Sequence, residues 1–279
     1  MRPDERSSAG IHDGQFHAPV QVGGSQFNLY KFSARRISIL VAGLAMLGFL
    51  AWLSYHLYTS SESYHMRAEE ELLRDLKPGK TYSKIDQELG SSGPDYTVTL
   101  DSGNKLHQYE RKWEVIQVLE DKGGTALSIG VYAGTQKFHP SLEMGTFSVR
   151  LNDTTVDRVQ ERSGLPPEAA NKYCAAHKIG YLESYTLPIA DGGDIVVGSY
   201  ADGNLSTGSS ASICDIKVTK KSCYPPLDTD KVSKAYAECI AKSRNAQAIR
   251  NKLQLTFFIV AAPGREITRD MLKPPDFPG

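Results

Sequence analysis

Apolar and polar positions change period several times along the chain, and each change predicts an element. Residues 1–36 are polar and Gly-rich without an apolar period, which predicts a disordered tail. Residues 37–58, ISILVAGLAMLGFLAWLSYHLY, contain no Asp, Glu, Lys or Arg. A helix of that length spans about 33 Å, enough to cross a hydrocarbon core of about 30 Å. After a short linker at 59–64, Ala68, Leu72 and Leu76 recur every fourth position, and Glu70 faces Arg74 at i, i+4. Pro78-Gly79 ends that helix. A second short helix opens near Thr81 or Ser83, either of which can cap it, carries Ile85 and Leu89 on one face and stops at Gly90.

The period then falls to two. Tyr96, Val98 and Leu100 alternate with Thr97, Thr99 and Asp101, DSGN at 101–104 is a turn, and 105–111 and 113–120 read as strands. DKGG at 121–124 is a hairpin signal, and Leu127, Ile129 and Val131 alternate after it. Residues 65–133 thus predict two helices covering three or four antiparallel strands. In the second half, TTVDRVQERSG at 154–164 lines up with KTYSKIDQELG at 80–90 and suggests a diverged second copy over 134–273. LPPEAANKYCAAHKIG at 165–180 reads as a helix opened by Pro166 or Pro167 and closed by Gly180. Strands follow at 181–187 and 193–200, a loop at 201–212, a helix over about 230–250 and a central strand at 253–262, ahead of a Pro-rich tail at 274–279. The fold class predicted is α+β: one N-terminal transmembrane helix, then an ectodomain of helix-plus-antiparallel-sheet subdomains.

The motif order in 65–133 resembles the BamE type (SmpA/OmlA family) of small envelope lipoprotein domain. The matching residues are Leu76, Gly79 with Thr81, Ile85, Leu89-Gly90, Pro94, Tyr109 and Asp121 to Gly124. The resemblance covers about a quarter of the chain. It implies a non-enzymatic scaffold or interaction module. Members of that family are usually lipidated on a Cys after a signal peptide, whereas this chain carries a spanning helix at the corresponding place.

Charge orients the chain. Lys31, Arg35 and Arg36 flank the N-terminal side of the span, and no Lys or Arg follows it before Arg67, which puts the N-terminus in the cytoplasm. Trp52, Tyr55 and Tyr58 suit the outer interface. Residues 62–279 hold 27 Lys+Arg against 29 Asp+Glu, so the ectodomain has no electrostatic footprint for nucleic acid. All four cysteines lie beyond the span, and an even count outside the cytoplasm implies two disulfides. The pairing expected is Cys214–Cys223 across a short stretch and Cys174–Cys239 between two helices. Zinc held by Cys174, His177 and other cysteines is the alternative, but no C-x-x-C pair is present.

Catalytic signals are sparse. Asp228-Thr229-Asp230 with sequons at Asn152 and Asn204 would fit a type II membrane glycosyltransferase holding a metal through Asp228 and Asp230. Pro225-Pro226 stands where that site needs an apolar strand, so the two acids read as caps of the following helix. Cys174 and His177, neighbours on one expected helix face, do not point at each other as a nucleophile and base must. Glu69-Glu70-Glu71 reads as a solvated helix face. Exposed aromatics at Tyr224, Phe138 and His139, or a sheet edge, are the candidate contact points for a partner. The expectation is a single-pass protein of a bacterial inner membrane with residues 59–279 in the periplasm. It has no catalysis, cofactor or metal, and scaffolds an envelope protein partner beside the bilayer. The second binding expectation is a secretion or conjugation component of the VirB8-like plan.

Overall fold

The computed structural model describes residues 34–90, 92–144, 147–174, 178–187, 193–202, 210–217, 223 and 232–275. The chain divides into two compact units, Met1–Leu57 and Tyr58–Gly279. Helix α1 (Ala34–Thr59) is apolar along Val41–Thr59, long enough to cross a membrane, and no part of that stretch is buried. Phe49, Trp52 and His56 form a ladder of rings along it at i, i+3 and i+4 spacing, with Trp52 and His56 parallel at 5.6 Å. Trp52, Tyr55 and Tyr58 are all exposed.

The second unit is α+β. It contains α2 (Glu62–Asp75), α3 (Tyr82–Leu89), α4 (Val156–Ser163), α5 (Lys234–Lys242) and α6 (Arg244–Arg250). Its strands are β1 (Tyr96–Thr99), β2 (Lys105–Glu110), β3 (Glu114–Glu120), β4 (Ala126–Ala133), β5 (Ser141–Met144), β6 (Phe147–Arg150), β7 (Ala169–Cys174), β8 (Lys178–Leu187), β9 (Gly193–Asp202) and β10 (Phe257–Ala261). Strands β5 and β6 make a separate hairpin. The other eight form one antiparallel sheet in the order β1-β2-β3-β4-β10-β9-β8-β7. Each half of the chain thus supplies a four-strand run, and the two runs meet at β4–β10.

The helix ahead of each run is built alike. Helix α3 has Thr81 at its N-cap and left-handed Gly90 at its C-cap; α4 has Thr155 and left-handed Gly164 in the same places. Ile85 and Val159, at matching positions, are fully buried. The caps dock in the same way: Thr81 bridges to Thr125 just before β4, and Thr155 bridges to Gln254 just before β10. A positive-φ residue precedes both caps, Gly79 in one half and Asn152 in the other.

One face of the sheet carries Ile116, Val118, Ile129, Val131, Ile195, Val197 and Phe258. Against it pack Ile85 and Leu89 of α3, Val156 and Val159 of α4, and Tyr236 and Ile240 of α5. Each fully buried aliphatic there contributes about 1.5–3 kcal/mol. The other face carries Val115, Leu119, Tyr132, Val196, Tyr200 and Phe257 in one cluster with Met271 and Leu272 of a 3-10 turn. Tyr132 and Phe257 stack there at 5.1 Å. Gly198 makes room for that layer, since a Cβ would fall 2.1 Å from the Tyr181 carbonyl oxygen and 2.8 Å from the Phe257 ring.

Three expectations are corrected. Among the described residues of 165–180 there is no helix: β7 occupies Ala169–Cys174 and pairs with β8 from Ala169↔Ser184 to Cys174↔Ile179. Ladder pairing with β8 overrides the helix-like composition of that segment. The region 230–250 is broken at Ser243, which ends α5 and caps α6 by accepting the Ala246 N–H. The disulfides are Cys174–Cys214 and Cys223–Cys239, with Cα–Cα distances of 5.9 and 5.7 Å, in place of Cys214–Cys223 and Cys174–Cys239. That pairing assumed Cys174 on a helix. Cys174 instead ends a strand, beside the 3-10 turn Ser210–Asp215 that carries Cys214. Lys172 Nζ clamps this turn to β7 by donating to Ile216 O at 2.5 Å and Cys214 O at 3.3 Å.

Candidate functional site

The sheet centre, where β4 meets β10, is open on the helix-bearing face. A groove of about 600 Å3 lies there. Its floor is Ile129 and Val131 of β4 with Phe258 and Val260 of β10, residues that alternate inward along antiparallel strands. Leu73, Leu76 and Pro78 at the end of α2 form one wall and Leu142 of β5 is also in the lining. Arg74, Lys77 and Glu143 bring charge to the rim. A site of this size, mostly apolar with Arg74, Asp75, Lys77 and Glu143 as its charged residues, suits an apolar group.

Three polar clusters sit around the same face. The seam between α2 and the sheet is made by Glu69, Arg111 and Glu114. Arg111 Nε meets Glu69 Oε1, Nη2 donates to Glu69 Oε2 at 3.0 Å, and Nη1 donates to Leu89 O at 3.0 Å, which closes the end of α3. The Glu114 side chain is fully buried, and Arg111 Nε stands 3.6 Å from its Oε1. Among the described residues, no hydrogen-bond donor reaches either Glu114 oxygen. Burial and the facing Glu69 push the Glu114 carboxyl up to about 9. It therefore keeps its proton at neutral pH. Glu70 also docks α2, accepting the His139 N–H at 3.3 Å, and the Trp113 Nε1–H reaches Glu62 at 3.4 Å. Glu69 and Glu70 thus anchor α2 instead of forming the solvated face expected.

The second cluster is buried under α4 and α6. Arg250 Nε donates to Glu183 Oε1 at 2.6 Å and Nη2 to Glu183 Oε2 at 3.0 Å, with both side chains sealed from solvent. Tyr181 donates to Glu183 Oε1, and Tyr185 to Oε2 at 2.5 Å. Gln160 accepts from Nη2 at 2.9 Å, and Gln247 and Asp157 accept from Nη1 at 2.8 and 3.5 Å. Burial alone would lower the Arg250 pKa, and Glu183 more than offsets it, so the guanidinium is held above its ordinary range. Burial and the Glu183 charge raise both tyrosines. With both Glu183 oxygens and all three guanidinium nitrogens hydrogen-bonded, the cluster is a structural tie between the second half's strands and helices.

The third cluster places a hydroxyl, an imidazole and a carboxylate in line on β1, β2 and β3. Thr97 Oγ1 is 3.0 Å from His107 Nδ1, and His107 Nε2 is 2.8 Å from Glu120 Oε2. Tyr82 of α3 stacks on the imidazole at 3.9 Å and bonds Tyr109 at 2.7 Å, whose hydroxyl donates to Asp86 at 2.8 Å. Thr97 and His107 are direct cross-strand partners, so sheet geometry alone brings them together. Neither the groove nor the second cavity, beside α5, includes them.

Sequence-predicted sites fare unevenly. Phe138 is fully buried against Trp113, and His139 Nδ1 lies 3.1 Å from Leu151 O, so both serve packing. Asn152 of the first sequon is buried and donates to Thr135 O and Phe138 O, both at 2.9 Å. Cys174, weighed for zinc and for nucleophilic chemistry, is held in a disulfide, as are the other three cysteines weighed for zinc. Asp228, Asp230, His177, Tyr224, Asn204 and Lys31 lie outside the described residues, as do the side chains of Arg35 and Arg36. Glu114, Glu183, His107 and Arg250 were not singled out from the sequence. The available signal was a charged residue in phase with apolar neighbours: Glu183 between Tyr181 and Tyr185, Glu114 before Ile116 and Val118.

Comparison with known protein families, curated proteins and solved structures matches none of them to this chain. Function therefore rests on the geometry above.

Proposed function

We propose that this chain is a single-pass envelope protein of a bacterial inner membrane. Its α+β domain stands in the periplasm as a protein–protein interaction module without catalysis. The observation that carries the reading is the unburied apolar stretch Val41–Thr59 leading directly into a domain whose four cysteines form two disulfides. Basic residues on the N-terminal flank set the orientation. Ser61 caps α2 immediately after α1, and Glu62, Glu69 and Glu70 dock α2 to the domain. The tether therefore holds the domain near the bilayer and raises its effective concentration for membrane-bound partners. The mirrored strand order and matching caps support two diverged copies of one helix-plus-four-strand unit. The resemblance of the first copy to BamE-type domains points the same way, toward scaffolding.

The test uses the full chain in membranes. Alkaline carbonate should leave it in the pellet, and photo-crosslinkers at exposed positions such as Arg74, Lys77 and Arg158 should give discrete protein adducts from at least one face. Recovery in the soluble fraction, or silence from every exposed position, would overturn the reading. Point positions are used because deleting residues 65–133 would remove four of the eight strands of the sheet.

A further inference from the structure

The two ends of the eight-stranded sheet are finished differently, although the halves match. At the β7 end the edge is bridged at one position and covered by packing: Ala170 and Ser233 exchange N–H···O bonds of 3.1 and 2.8 Å, and α5 packs alongside β7. At the β1 end, among the described residues, no strand pairs on the outer side. The phase of that edge is fixed by its turn. Leu100 N–H bonds Asn104 O at 2.9 Å and Gly103 N–H bonds Leu100 O at 2.8 Å. By antiparallel alternation the Val98 backbone faces β2, and the N–H and C=O groups of Thr97 and Thr99 point out of the sheet.

We propose that β1 receives an extended segment of a partner protein by antiparallel or parallel strand addition. That segment carries Lys or Arg at positions six apart. The inference rests on the interaction-module reading and names its surface and the chemistry of its partner. Thr97 and Thr99 offer two donors and two acceptors, and the strand YTVT has no charge to be buried by pairing. Tyr96, half-exposed, gives an apolar contact at one end. Asp95 and Asp101, both exposed, bracket the strand six positions apart. One Asp95 oxygen accepts the Glu110 N–H at 2.7 Å, which fixes that carboxylate at the edge. The same two acids oppose a second copy of this chain. In the symmetric antiparallel register, with Val98 opposite Val98, each Asp95 would face the other copy's Asp101. Like charges directly opposite disfavour that pairing, whereas a basic-flanked segment meets complementary charge at both ends.

The experiment uses the full chain in lipid nanodiscs and two fluorescent peptides, KTVTVTK and ETVTVTE, read by anisotropy and by amide exchange at Thr97 and Thr99. The basic peptide should bind more tightly and slow exchange at both amides. Thr99→Pro removes one outward N–H without touching the β1–β2 bonds and should weaken binding about tenfold. Asp101→Lys should weaken the basic peptide about threefold and strengthen the acidic one by a similar factor. Equal binding of both peptides, unchanged exchange at Thr97 and Thr99, wild-type affinity in both variants, or a chain dimer abolished by Thr99→Pro would overturn the proposal. Adducts from Arg74, Lys77 or Arg158 with a silent β1 would reject this surface and leave the interaction reading standing.

Discussion

Glu114→Gln isolates the seam that fixes α2 to the sheet. In the native domain the Glu114 side chain is fully buried, faces Glu69, and holds its proton up to about 9. In the unfolded chain a glutamic acid loses its proton near pH 4.3. Between those limits the native state binds the extra proton. Stability is therefore highest below the unfolded pKa and falls as pH rises toward the folded pKa, at up to about 1.4 kcal/mol per pH unit. From pH 6 to pH 8 the loss from this group is about 3 kcal/mol. Gln keeps the size and the donor of the protonated acid and cannot ionise. Urea unfolding of residues 58–279 at pH 6, 7 and 8 should therefore show the variant gaining on the wild type by about 3 kcal/mol across that interval. Parallel pH dependence of the two proteins would refute the reasoning, because it would mean that Glu114 ionises alike in both states.

Arg250→Ala leaves Glu183 buried with only its two tyrosine donors and should cost about 3–5 kcal/mol in the same urea assay; combining it with Glu183→Leu should recover most of that loss. Gly198→Ala drives a methyl into the Tyr181 carbonyl and the Phe257 ring and should cost at least about 1–3 kcal/mol, read as a lowered melting temperature. Non-reducing peptide mapping should recover Cys174 linked to Cys214 and Cys223 linked to Cys239. Replacing the latter pair by Ser, which opens a closure of 16 residues, should cost about 3 kcal/mol.

Local signals were legible wherever one physical rule dominated. The run 37–58 announced α1, and Ile85, Leu89 and Gly90 gave α3 its buried face and its stop. LQLTFFIVAA at 253–262 announced a strand buried on both faces, which is β10 at the sheet centre. The alignment of 80–90 with 154–164 found the two helices that share Thr and Gly caps. Long-range choices were not legible. Ala169–Cys174 has helix-like composition, and only its partner β8 makes it a strand; the disulfide pairing failed with it. The return of the chain through α5 and α6 to place β10 against β4 has no local signature either. Nor does the ion pair of Glu183 and Arg250, 67 residues apart. The groove floor could not be read from sequence for the same reason, since it needs β4 and β10 to be neighbours.

Protease accessibility of the full chain in intact spheroplasts, followed by disulfide mapping of the released fragments, is the most direct test of the membrane-tethered reading. Added protease should remove residues beyond the span and yield fragments carrying both disulfides. A domain protected until the membrane is lysed, with four alkylatable thiols, would contradict it.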